Sequence, residues 1–74
     1  MYTSTNADGN RNMQAAAIAL MKGWSMDDLY DSDKIKSVIS ALVPQYPDIL
    51  PYRVRNSVTR SAMMMRGAII GGRR

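Results

Sequence analysis

Residues 51–70 read PYRVRNSVTRSAMMMRGAII, and this stretch decides the fold. At about 100° per residue, Val54, Val58, Ala62, Met65 and Ile69 fall on one side of a helix. Pro51 suits the first helical position, where its missing N–H would have no partner and its fixed φ is already helical. Gly71 and Gly72 then supply a stop. The pattern predicts a helix over about 51–70 with one apolar stripe and two polar edges. Arg53 and Arg60 share one edge, flanked by Ser57; Arg55 and Arg66 share the other; Asn56 and Thr59 lie between them.

Upstream, residues 44–51 read PQYPDILP, with three prolines in eight positions. Regular helix and central strand are both excluded there, because each proline removes a donor and clashes with the preceding turn. The segment is a proline-rich connector whose Tyr46, Ile49 and Leu50 are expected to pack back on the core. Before it, Ile35, Val38, Ile39 and Leu42 form the stripe of a helix over about 33–43, capped by Ser32 and ended by Pro44. Ser25 and Asp28 have the spacing of a capping box, which starts a short extra turn near 26–30. An earlier helix over about 11–22, capped by Asn10 or Asn12 and stopped by Gly23, turns Met13, Ala17, Leu20, Met21 and Trp24 to one side. With Ala15, Ala16, Ile18 and Ala19 it is apolar nearly all round, and burial in the middle of the molecule is expected. No segment alternates with period two. The expected fold is therefore all-α: a small three-helix domain over 11–70, a flexible polar segment over 1–10 and a flexible basic tail over 71–74.

Seventy-four residues make one small domain, in which core burial alone leaves little margin of stability. The chain has no Cys and no His, so neither disulfides nor thiolate or imidazole metal sites can staple it. It has no Glu either, which leaves only Asp, Lys, Tyr, Ser and Thr for acid, base or nucleophilic work. An enzyme is not expected, and neither a cofactor nor a small-molecule substrate is implied. Asp27, Asp28, Asp31 and Asp33 cluster, but without the alternating ligands, central Gly and closing Glu of a calcium loop. They read as helix caps and no metal is assigned to them. The polar first ten residues lack the basic and apolar regions of a signal peptide, and the apolar run Ala15–Met21 is too short to span a bilayer. A soluble, intracellular chain without a membrane role is expected.

Charge is divided unevenly. Residues 1–50 carry a net −2, whereas residues 51–74 hold six Arg and no acid, so the total of +4 belongs to the last third. Arg presents a planar fork of donors suited to phosphate. An Arg, Asn and Thr face on a helix whose N-terminus also favours anions matches phosphate and base-edge contacts. The leading expectation is a small non-enzymatic DNA-binding protein, a regulator of helix-turn-helix type. Its contacts would come from Arg53, Arg55, Asn56, Thr59, Arg60 and Arg66, with Arg73 and Arg74 as a basic arm. Ala19, Gly23 and Leu29 have the spacing of a helix-turn-helix, although Asp27, Asp28 and Asp31 would then face a polyanion. The competing expectation is a protein-interaction module docking through Met63 and Met64, which point away from the stripe. Such a module would inhibit a host enzyme or build a larger assembly such as a virus particle. Both readings expect a homodimer or hetero-assembly, because a short chain without staples has apolar surface to spare.

Overall fold

A computed structural model describes the backbone of residues 2–72 and the side chains of residues 9–71. It is all-α, in chain order α1 (Tyr2–Leu20), α2 (Met26–Tyr30), α3 (Ser32–Leu42), a 3-10 turn (Val43–Gln45) and α4 (Pro51–Gly72), with no strand among the described residues. The two long helices pack on each other, α2 and α3 also pack on α4, and α3 touches α1 as well, so the three share one side of α4. Helices of 19 and 22 residues are about 30 Å long at 1.5 Å per residue, and they are the longest elements of an elongated outline of 44 × 25 × 16 Å.

The first helix starts well before residue 11. Thr, Ser, Asn and Gly between residues 3 and 10 are weak helix formers, which is why a loop is the local expectation. Tertiary packing overrides that preference. Gly9 and Asn10 are half-buried, and a Cβ built on Gly9 would lie 3.8 Å from Cδ1 of Ile49 in the proline-rich connector. The connector therefore lies against α1 at Gly9. At its other end α1 stops at Leu20 rather than residue 22. Gly23 sits at φ +83°, in the left-handed region that disfavours a Cβ, and Trp24 N donates to the Met21 carbonyl at 3.1 Å.

The α2–α3 corner is held by side chains. Ser25 Oγ accepts from Asp28 N at 3.2 Å while Asp28 Oδ2 accepts from Ser25 N at 3.1 Å, the reciprocal box anticipated from their spacing. Asp31, not Ser32, caps α3: its Oδ1 accepts from Asp33 N at 3.0 Å and Lys34 N at 3.3 Å. A carboxylate one residue earlier reaches two free N–H groups and also complements the helix dipole, so it displaces the hydroxyl. Lys34 Nζ lies 2.6 Å from Asp28 Oδ1 and 5.7 Å from the centre of the Trp24 ring. The hydrogen bond from Lys34, and then that from the Ser25 backbone, hold Asp28 below the usual carboxylate range; the same contact raises Lys34.

The core is a single cluster. Met13, Ala17 and Met21 from α1, Leu29 from α2, Val38 and Leu42 from α3, Ile49 from the connector, and Val54, Val58 and Ala62 from α4 are buried. Met65, Ile69, Trp24 and Tyr46 pack against it, partly covered. The α4 stripe lies where its periodicity places it. Three expectations change. Leu20 and Leu50 face outward, 47% and 55% exposed, because one ends its helix and the other follows the turn that buries Ile49. The first helix is not buried all round: Ala15 and Ala19 are on its open face, where an alanine needs no cover. Finally, the periodicity places nothing polar in the core, yet Ser61 is fully buried in α4 and its Oγ has no hydrogen-bond partner among the described residues.

Candidate nucleic-acid interface

Helix α4 contains four Arg and no acid over its whole length. With Val54, Val58 and Ala62 turned inward, its polar residues are divided between two flanks and an outer face. On the flank toward α1 an open groove of about 540 Å³ separates the helices. From α4 it is lined by Arg53, Asn56, Ser57 and Arg60. From α1 it is lined by Asn10, Arg11, Met13 and Gln14. Three guanidinium groups and three amides thus meet around one concave surface, with Met13 as its buried base. No carboxylate is among these lining residues. Asp48 enters in an adjoining pocket of about 240 Å³ that shares Asn10 and Arg53, and among the described residues the one ion pair is Asp28–Lys34, in the α2–α3 corner.

The expected contact residues separate into groups. Arg53, Asn56 and Arg60 come together at the groove. Thr59 lies on the outer face, where a cleft of about 470 Å³ is walled by Asn56, Thr59, Arg60, Met63 and Met64. Arg55 is exposed on the flank away from α1. Arg73 and Arg74 lie outside the described residues. Arg66 is the exception. Its Nη1 donates to the Leu29 carbonyl at 3.0 Å, and its guanidinium stacks 4.2 Å from the centre of the Tyr30 ring. That side chain caps the end of α2 and ties it to α4, so it is not free for a phosphate. Its position on the helix face was legible; the carbonyl waiting for it was not, because α2 reaches it only in the folded molecule.

The α1 side of the groove escapes sequence reasoning. Arg11 belongs by count to the acidic part of the chain, and Asn10 falls in the expected loop. The usable signal is spacing: Asn10, Met13, Gln14 and Ala17 recur at i, i+3, i+4 and i+7, so the polar pair marks the end of the buried stripe. Met63 and Met64 are exposed as expected, at 56% and 51%.

The helix-turn-helix spacing does not produce that motif's packing. Gly23 does turn the chain, and Leu29 is buried. However, Ala19 is exposed instead of contacting the second helix, and α2 is five residues long and bears Asp27 and Asp28. Such a helix can neither span a major groove nor approach phosphates favourably. Among the described residues no three acidic side chains are placed to hold a metal ion, and no helix is long and apolar enough to cross a membrane. No known protein family, no curated protein and no solved structure matches the chain.

Proposed function

We propose that the protein is a small, non-enzymatic nucleic-acid-binding protein that grips the backbone of duplex DNA in the α1–α4 groove. One observation carries the reading: Arg11, Arg53 and Arg60, with Asn10, Gln14 and Asn56, converge on an open surface that has no carboxylate among the described residues lining it. Guanidinium groups keep their charge at any working pH, and their forked donors match phosphate oxygens. Neutral amides add hydrogen bonds that orient the ligand without adding repulsion. The groove is open along its length, as a polymer requires. Among the described residues no aromatic side chain lines it, so these residues offer single-stranded bases no platform to stack on, which favours a duplex. Helix α4 is the reading element.

The test is a titration of a short fluorescent duplex, followed by anisotropy at low salt, with the wild type and with Arg11→Gln/Arg53→Gln/Arg60→Gln. Saturable binding by the wild type and none by the triple variant are expected. Absence of wild-type binding, or equal binding by the variant, overturns the reading. The half-exposed Met63 and Met64 favour a second reading in which a protein partner or a second copy covers the outer face of α4. Concentration-dependent sedimentation abolished by Met63→Ala/Met64→Ala, without any duplex binding, would select it.

A further inference from the structure

The basic groove continues into the outer cleft of α4, because Asn56 and Arg60 wall both. Beyond Arg60 the surface changes character. Met63 and Met64 stand about half exposed in the middle of a helix whose stripe is already filled by Val58, Ala62 and Met65. Side chains on a helix lean toward its N-terminus, which brings these thioethers over Thr59 and Arg60. Gly67, one turn further along, offers no side chain to cover either of them, and a Cβ there would meet nothing within 4 Å. The outer face thus presents a guanidinium, an amide, a hydroxyl and two flexible apolar groups in immediate succession.

If the guanidinium groups meet phosphates, the methionines lie against whatever the bound duplex presents beside them. An α-helix is about 10–12 Å across with its side chains, and the major groove is about 12 Å wide. The base edges there offer donors, acceptors and one apolar group, the C5-methyl of thymine. We infer that Met63 and Met64 pack on thymine methyls when α4 lies in the major groove, with Asn56 placed for the N6 and N7 of an adjacent adenine. The inference rests on the nucleic-acid reading above and adds a base preference to it: sites rich in A·T are bound more tightly. The methionines are the specificity-determining pair, and Arg11, Arg53 and Arg60 supply charge without sequence information.

The experiment compares an alternating adenine–thymine duplex with its adenine–uracil counterpart, which differs only by the methyl. Wild-type affinity should fall about fourfold for each contacted methyl that is lost. Met63→Ala/Met64→Ala should bind both duplexes alike and keep the salt dependence of the wild type. Both side chains are exposed, so the variant should fold, as far-UV circular dichroism will verify. Equal wild-type affinity for the two duplexes, or full discrimination retained by the variant, overturns the inference and leaves salt-dependent duplex binding standing. Absence of binding to either duplex at low salt overturns both readings, whereas equal, salt-dependent binding to the two overturns the base preference alone.

Discussion

Replacing Ser61 with Ala should make the protein more stable. The side chain is fully buried in α4 and its Oγ has no partner among the described residues. A hydroxyl stripped of water without a replacement bond costs about 1–3 kcal/mol. Alanine also exceeds serine in helix propensity by roughly 0.5 kcal/mol. Against these gains stands a void smaller than a methyl group, a loss of at most about 1 kcal/mol. The net gain is about 1–2 kcal/mol, and in a domain of this size each kcal/mol raises Tm by about 4–8 °C. Urea and thermal unfolding followed by far-UV circular dichroism would measure it. Ser57→Ala, half-buried one turn earlier, is the control, because it carries the propensity gain without relief of a buried hydroxyl. A loss of stability in Ser61→Ala would refute the reasoning, since it would mean that the hydroxyl is hydrogen-bonded and that α4 packs differently around it.

Val58→Asp places an unpaired carboxylate in a fully buried position and should cost more than about 4 kcal/mol, enough to unfold a small domain, whereas Arg60→Ala should leave the urea midpoint nearly unchanged. Equal loss of helicity from the two would mean that α4 faces the other way. Arg66→Ala removes the bond to the Leu29 carbonyl and the stack on Tyr30, and should cost about 1–2 kcal/mol of stability with little change in duplex affinity. In the α2–α3 corner, Asp28 titrates below its ordinary 3.8, so its contribution is present above that value and disappears as pH falls through the lower folded one. Lys34 titrates above its ordinary 10.5, so its share is complete below that value and disappears as pH rises through the higher folded one. The stability difference between wild type and Asp28→Asn should therefore be constant near neutrality, shrink in acid, and weaken with added salt because both side chains reach solvent.

What was legible in the sequence was whatever local spacing decides. The α4 stripe at Val54, Val58 and Ala62 repeats with the helix period and starts at Pro51, so its facing could be read directly. The Ser25–Asp28 box needs only two side chains three residues apart. Other features depend on partners distant in the chain. Residues 2–10 are helical against weak local propensity, and the approach of Ile49 to Gly9 depends on packing that local spacing cannot reveal. Asp31 takes the cap of α3 because its carboxylate reaches two N–H groups, a contest that the DSD triplet leaves open. Half of the basic groove could be read from the periodicity of α4. The other half depends on how α1 lies across it, and so Arg11 was missed while Arg66, which the Leu29 carbonyl occupies, was counted in.

In the proposed function, Arg11, Arg53 and Arg60 neutralise the phosphates of one duplex. The most direct measurement is the salt dependence of duplex affinity for the wild type and for each single Arg→Gln variant. Three neutralised phosphates predict a slope of log K on log salt of about −2.7, and each of the three substitutions should reduce its magnitude by about 0.9. Arg66→Gln should leave the slope as it is. A wild-type slope near zero, or a slope that Arg66→Gln lowers as much as Arg11→Gln, Arg53→Gln and Arg60→Gln do, would contradict the account.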